Sequence, residues 1–169
     1  MGRTVTMETV ELVRRFIPDI ALSTDLIVGF PGETEAEFQD TLALCRELRF
    51  DDAFTYRYSP RDGTPATRMP PEEFVSEEEG KARLDALIET TRRIQAEINQ
   101  DGVGRVEEVL VEKAGKEPGF MLGRTRRNKV VVFPGGEGLE GDYLDVRLDR
   151  TTGATFVGSL ADKTTREPS

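Results

Sequence analysis

The chain has 169 residues, of which 33% are charged, and its formal net charge at pH 7 is −9. Binding nucleic acid by bulk electrostatics is disfavoured, because neutralising phosphates requires a clustered positive face. The chain contains no histidine and one cysteine. This excludes histidine-based triads and intrachain disulfides, and it makes a zinc or iron–sulfur site built from this chain alone implausible. The sequence therefore predicts no metal site in this chain.

Acidic residues are distributed unevenly, which suggests two units. Residues 1–102 carry 12 Lys and Arg against 21 Asp and Glu, whereas residues 103–161 carry nine of each. We predict one domain over 1–102, a second over 103–161 and a polar tail over 162–169. No apolar run approaches the roughly 18 residues needed to cross a bilayer. We therefore expect a soluble cytoplasmic protein with no membrane partner.

The chain begins with a helix pattern followed by a strand pattern. Residues 7–17 have apolar side chains at helical spacing, and Pro18 ends the pattern, so one short amphipathic helix is predicted. Residues 20–30 are mostly apolar and β-capable. Such a run predicts a strand buried on both faces, the kind that parallel sheets contain.

A second helix and a second strand are predicted next. Thr34 and Glu37 fit a capping box, in which the hydroxyl and the carboxylate satisfy orphan backbone amides. Apolar residues then follow at helical spacing: Phe38, Leu42, Cys45 and Leu48. Residues 53–58 are typical of a strand. Because a parallel pair of strands requires a crossover helix, we predict a βαβ unit.

The stretch 59–71 contains four prolines and a glycine and is predicted to be an irregular loop. Ser76 and Glu79 repeat the capping-box pattern, and a helical apolar stripe continues from there to Asn99. We expect a hinge at Asp101–Gly102.

From residue 103 onward the apolar pattern changes to short strands separated by glycines. Strand-like segments occur around residues 106–111, 120–122, 130–133, 143–148 and 155–157. About five short strands in some sixty residues predict a small β-barrel or sandwich.

Two loops that follow the predicted parallel strands are candidates for a ligand-binding rim. Residues 25–34 and 58–64 place small or rigid residues where apolar strands end, which is where α/β sheets bring main-chain groups close to a ligand. Gly29 and Gly32 permit close approach and Pro31 stiffens the turn. The alternative is that these residues only form a tight strand-to-helix turn.

Single residues also offer alternatives. Asp25 lies in the apolar strand, where burial of its carboxylate would cost several kcal/mol unless it is paired or faces a polar cavity, so both a structural ion pair and an active-site role are open. Cys45 lies on the apolar face of a helix and is predicted to pack as a small hydrophobe.

Four cations cluster in the second unit: Arg124, Arg126, Arg127 and Lys129. Arginine pairs phosphates and stacks on bases, so this cluster is a candidate RNA-contacting surface. The alternative is a solvated strand edge whose charge discourages edge pairing.

The motifs resemble those of radical-SAM methylthiotransferases, in particular the MiaB-type enzymes that modify tRNA. The resemblance rests on Ser23–Thr24–Asp25, on residues 27–34 (Ile-Val-Gly-Phe-Pro-Gly-Glu-Thr) and on residues 58–61 and 63–66. Near the end, residues 123–125 and 128–133 are similar to the TRAM domain of that family. The resemblance covers the back half of the family's pattern only.

The resemblance implies a fold, a cofactor and site residues. The fold would be α/β, a partial radical-SAM barrel with a βαβ unit and helices, followed by a small all-β TRAM barrel. S-adenosylmethionine would be bound by Val28, Gly29, Phe30, Ser59, Pro60 and Arg61, with Asp25 in the active site, and the TRAM domain would contact RNA through the four cations. Asp62 stands where the family has proline.

The family's [4Fe-4S] clusters are held by cysteines, one set in a Cys-x3-Cys-x2-Cys loop, and these ligands are absent from this sequence. The resemblance implies an enzyme that adds a methylthio group to C2 of N6-isopentenyladenosine in the tRNA anticodon loop. This chain would be the C-terminal part of that enzyme. It would depend on the missing N-terminal part as its partner and would be inactive alone. The alternatives are a fragment of the ribosomal-protein methylthiotransferase branch and a stand-alone RNA-binding TRAM protein.

Overall fold

The structure, a computed structural model, describes residues 2–161, and the predicted polar tail 162–169 lies outside them. The chain divides into two compact units, Met1–Ile94 and Gln95–Ser169. The helices are α1 (Gly2–Phe16), α2 (Glu35–Leu48) and α3 (Glu77–Asp101), and the first two strands are β1 (Ser23–Val28) and β2 (Asp52–Arg57). Two short 3-10 helices, Pro65–Arg68 and Pro71–Glu73, interrupt the loop that the prolines predicted.

The first unit contains the predicted βαβ arrangement. β1 and β2 pair in parallel, with Ser23 opposite Asp52 and Val28 opposite Arg57, and α2 is the crossover between them. The prediction that the first strand is buried on both faces is wrong. Every second residue of β1 is exposed, and Ile27 keeps 56% of its surface, because one face of this two-stranded sheet is left uncovered.

Helix α2 forms where local chemistry predicts it. The Thr34 hydroxyl accepts a hydrogen bond from the Glu37 backbone N–H, and the Glu37 carboxylate accepts one from the Thr34 backbone N–H, so the capping box is confirmed. The apolar stripe is buried, and Cys45 is 1% exposed, as its predicted packing role requires. Burial raises the pKa of the Cys45 thiol.

Helix α1 differs from the predicted helix 7–17. It begins at Gly2 and ends at Phe16, so Ile17 lies beyond it. Val10 is buried, but Phe16 is 76% exposed and Leu12 is 54% exposed. Helical spacing therefore identified the element, whereas only part of its apolar stripe is covered.

The second unit contains a closed barrel of five strands, which confirms the small all-β barrel. The strands are β3 (Val106–Ala114), β4 (Phe120–Thr125), β5 (Val130–Pro134), β6 (Tyr143–Thr151) and β7 (Thr155–Leu160). Their order around the barrel is β3-β4-β5-β7-β6, and all pairs are antiparallel except β5 with β7. The core consists of alternate inward residues, namely Val109, Val111, Met121, Val131, Phe133, Val146, Leu148 and Phe156.

Close backbone approach explains one glycine of the barrel. A Cβ at Gly123 would lie 2.5 Å from the Leu110 carbonyl oxygen on the neighbouring strand. The last turn of α3 packs within this unit, where the buried Asn99 donates through Nδ2 to the Gly153 carbonyl oxygen at 2.6 Å. No helix among the residues described is long and apolar enough to span a membrane.

Candidate functional site

A cavity of 920 Å³ lies at the edge of the first unit where β1 and β2 end. Because parallel strands end on the same side of a sheet, the loops that follow them meet there. The lining includes four of the predicted site residues, Asp25, Phe30, Ser59 and Arg61, and seven further residues, Ile27, Tyr56, Arg57, Tyr58, Thr64, Pro65 and Ala66. The two candidate loops thus contribute to one cavity.

The other predicted cofactor-binding residues lie beside this cavity rather than in its wall. Val28 is fully buried. Gly29 and Pro60 line an adjacent cavity of 260 Å³, which shares Tyr58 and Arg57 with the larger one and extends to Gly80. The geometry therefore separates the predicted residues that line the larger cavity from those that lie beside it.

Two glycines of the first loop adopt conformations that favour glycine. Gly29 has φ +71° and Gly32 has φ +82°. The Gly32 backbone N–H donates to the Glu73 carbonyl oxygen at 2.8 Å. A Cβ at Gly29 would lie 3.5 Å from the Gly80 Cα. The loop backbone at Gly29 therefore lies in van der Waals range of the first turn of α3.

A buried arginine that the sequence did not single out holds the first loop. Arg83, which is 4% exposed, donates from Nη1 to the Glu33 carboxylate at 2.8 Å and to the Glu33 carbonyl oxygen at 2.9 Å. The same carboxylate accepts a hydrogen bond from the Gly29 backbone N–H at 2.6 Å. Glu33 thus links Arg83 on α3 to both ends of the turn over residues 29–33.

The surroundings of Arg83 keep it charged. Nη2 forms ion pairs with Glu79 and Glu35, and the guanidinium lies 5.5 Å from the centre of the Phe38 ring. Burial opposes the charged form, but the hydrogen bond with Glu33 and the neighbouring carboxylates outweigh it and raise the pKa of Arg83. Glu79, predicted to close a capping box, has its carboxylate on Arg83, while its backbone N–H donates to the Ser76 hydroxyl.

The wall of the larger cavity is partly aromatic. Phe30 and Tyr58 make an edge-to-face contact with ring centroids 5.0 Å apart. Phe30 and Tyr56 are 45% and 50% exposed. The Tyr58 hydroxyl is buried and has no hydrogen-bond partner among the described residues. These rings can accommodate a planar, apolar group.

Asp25 is not buried, so the predicted cost of desolvating its carboxylate does not arise. It occupies the exposed face of β1, next along that face to Ile27. Arg61 contributes the opposite charge to the same cavity. A carboxylate and a guanidinium in one cavity suit a ligand that carries both signs of charge.

The four cations of the second unit have different environments. Arg124 pairs with Glu112 at 3.1 Å and donates to Asn128, and Arg126 pairs with Glu108 at 3.0 Å. Lys129 is only 7% exposed and Arg127 is half-buried. Arg126, with 81% of its side chain accessible, is the most open of the ion-paired arginines of this cluster. The cluster is therefore partly neutralised and partly enclosed.

No group of three or more His, Cys, Asp or Glu side chains within residues 2–161 is arranged to hold a metal ion. The single cysteine is buried on α2. The residues present therefore do not fit an iron–sulfur cluster, which requires several thiolates.

The closed five-stranded barrel has a counterpart among known domains. Residues 100–160 match the family model described as the TRAM domain. The small all-β barrel of five strands is consistent with a TRAM domain.

The chain as a whole resembles a particular group of enzymes. It is 46% identical over 165 residues to tRNA-2-methylthio-N(6)-dimethylallyladenosine synthase from Acetivibrio thermocellus, covering 95% of this chain and 34% of that protein. The proteins of the same name from Moorella thermoacetica and Geobacillus thermodenitrificans are 46% and 45% identical, over 92% and 96% of this chain and 35% and 32% of their own lengths. The chain is therefore similar, over nearly its whole length, to one part of proteins named as tRNA methylthiotransferases, and the resemblance found in the motifs is confirmed. It spans about a third of the length of these curated relatives.

Proposed function

We propose that this chain serves as the C-terminal part of a cytoplasmic tRNA methylthiotransferase that modifies C2 of N6-isopentenyladenosine in the anticodon loop. Residues 1–102 would be part of a radical-SAM domain and residues 103–161 the TRAM domain that contacts tRNA. Support comes from the relatives' shared name, from the TRAM match and from the βαβ unit. The boundary at residue 102 stays a prediction.

The observation that carries the proposal is that both motif loops meet in one 920 Å³ cavity. We assign this cavity to S-adenosylmethionine. Phe30 and Tyr56 offer apolar surface for a planar base, while Asp25 and Arg61 offer opposite charges to a zwitterionic amino-acid portion. Ser59 adds a polar group, and Val28, Gly29 and Pro60 shape the rim.

The role of this chain is to bind and orient, because it lacks the thiolates for a cluster. By family resemblance the complete enzyme would carry [4Fe-4S] clusters for redox chemistry on S-adenosylmethionine, and their ligands would come from outside this sequence. Cys45 is the single cysteine of the chain. We therefore predict that the chain alone is catalytically inactive and works with the remaining part of the enzyme.

Titration of the full chain with S-adenosylmethionine, followed by backbone amide chemical shifts, tests the cofactor site. We expect shifts in residues 25–34 and 58–64. D25N and R61M should weaken binding about tenfold, since each removes one charge-assisted hydrogen bond. E89Q and R93M, at exposed positions of α3, are the matched controls. Shifts spread evenly over the chain, or equal affinity in D25N and E89Q, would refute this assignment.

A further inference from the structure

A groove runs along the outside of the barrel, on the face formed by β4, β5 and β7. Its volume is 520 Å³. The outward side chains of the three strands form its floor, and all six are half-buried: Phe120, Leu122, Val130, Val132, Thr155 and Val157. In the strand register Leu122 lies opposite Val132, and Val132 lies opposite Val157. The floor is therefore one continuous apolar surface.

The barrel does not need these side chains for its core. Its interior is filled by the inward residues of the same strands, such as Val131, Phe133 and Phe156, which are 0–3% exposed. The outward positions of β3 and β6 are mixed: Arg147 and Asp149 pair at 3.0 Å, whereas Leu110 and the 65% exposed Tyr143 are not charged. On β4, β5 and β7, by contrast, the outward side chains that form the groove floor are uncharged on all three adjacent strands, which indicates a contact surface.

The charges at the rim of the groove identify the kind of partner. Lys116 and Arg150 are exposed and line it, with Glu117 as the acidic lining residue. Neither cation has an ion pair or a hydrogen bond with any side chain among residues 6–161, whereas Arg124 and Arg126 are each paired with a glutamate. Cations without an ion pair can bind phosphates without first breaking a salt bridge. In a chain of net charge −9, such unpaired cations are a local exception.

We infer that this groove holds an unpaired RNA base, with Lys116 and Arg150 contacting the flanking phosphates. The inference rests on the proposed RNA-contacting role of the TRAM domain and assigns that role to a face other than the Arg124–Lys129 cluster. Phe120 supplies a ring for stacking, and the valines supply an apolar floor that accepts any base. A base within a duplex has both faces covered, so the site selects loops and single strands.

Binding of a fluorescent RNA stem–loop to the full chain, compared with the same stem as a blunt duplex, tests the inference. F120L keeps an apolar residue but removes the ring, and it should weaken stem–loop binding about tenfold while leaving duplex binding unchanged. K116A/R150A should lower the slope of log affinity against log salt by about 1.4, or roughly 0.7 for each phosphate contact. The controls are Y143L, at an aromatic that is 65% exposed on β6, and R147A.

The possible outcomes separate this inference from the proposed function. If the unmodified chain binds neither RNA, the RNA-contacting role itself is wrong. A second outcome is that F120L and K116A/R150A bind the stem–loop as tightly as the unmodified chain, whereas R126A binds it more weakly. This outcome refutes the groove and favours the Arg124–Lys129 cluster. If the groove variants change only sedimentation, the groove is a protein interface. K116A/R150A alters exposed positions only, so it stays informative even if F120L unfolds.

Discussion

Replacing Arg83 by methionine should loosen the loop that carries the proposed cofactor site. Arg83 and Glu33 are 4% and 11% exposed at their side chains, so the loss is not reduced by solvent screening. R83M leaves the Glu33 carboxylate buried with only the Gly29 N–H as a hydrogen-bond donor. Removing one partner of a buried pair costs about 3–5 kcal/mol. We expect a loss of about 3 kcal/mol, because Glu33 can turn partly toward water.

Two further variants define the origin of that loss. E33Q keeps an acceptor for Gly29 and leaves Arg83 beside Glu79 and Glu35, so we expect a smaller loss of about 1–2 kcal/mol. R57M breaks the pair between Arg57 and Glu77, whose side chains are 41% and 88% exposed, and should cost under about 1 kcal/mol. It is the matched surface control.

Hydrogen exchange of the Gly29 amide gives the local free energy, and urea unfolding followed by circular dichroism gives the global one. The Gly29 amide should exchange faster in R83M than in R57M. In the double variant R83M/E33Q the loss of unfolding free energy should differ from the sum of the two single losses by about 0.5–3 kcal/mol. If R83M and R57M lower stability equally, or if the two losses at Arg83 and Glu33 simply add, the network does not hold the loop.

Three other perturbations test local features. T34A should lower the free energy of unfolding by about 1 kcal/mol at neutral pH. Hydrogen bonds from Thr34 lower the folded pKa of Glu37, so the stabilisation from the ionised Glu37 carboxylate is present above its unfolded pKa and is lost as pH falls through the folded pKa. A T34A deficit that grows in acid would contradict the capping box. Cys45, whose pKa burial raises, should react with an aromatic disulfide only in denaturant, and rapid labelling of the native chain would argue against its burial. G123A should lower the free energy of unfolding in urea by about 1–3 kcal/mol, since the new Cβ would lie 2.5 Å from a backbone oxygen. In the control G136A the new Cβ has no atom within 4 Å, so stability should change by under about 0.5 kcal/mol. Equal losses in the two variants would refute the close approach at Gly123.

Features set by residues close in sequence could be predicted. The capping box at Thr34 and Glu37 depends on two side chains three residues apart, and the burial of Cys45 follows from helical spacing on α2. The barrel strands likewise follow from alternating apolar residues between glycines. In each case the physical cause lies within a few residues of its effect.

Features set by distant residues could not be predicted. Arg83 contacts Glu33 across 50 positions in sequence, and no local signal marks either residue as buried. The exposure of Ile27 depends on what covers the sheet rather than on the strand's own composition. The run of cations around Arg126 resembles one positive patch in the sequence, but Glu108, 18 positions away, neutralises part of it. The combination of Lys116 with Arg150 similarly exists only in the folded barrel.

The position of β7 determines the order of events in folding. β7 lies between β5 and β6, although it is the last strand along the described part of the chain, so the barrel cannot close until Thr155–Leu160 has been synthesised. Such non-local pairing is slow compared with the formation of local helical contacts, with typical times of milliseconds to seconds for barrels rich in distant contacts. Until then β5 and β6 each have an unpaired edge. During translation the barrel strands therefore remain open to mispairing for longer than the βαβ unit, whose pairing needs only residues up to Arg57.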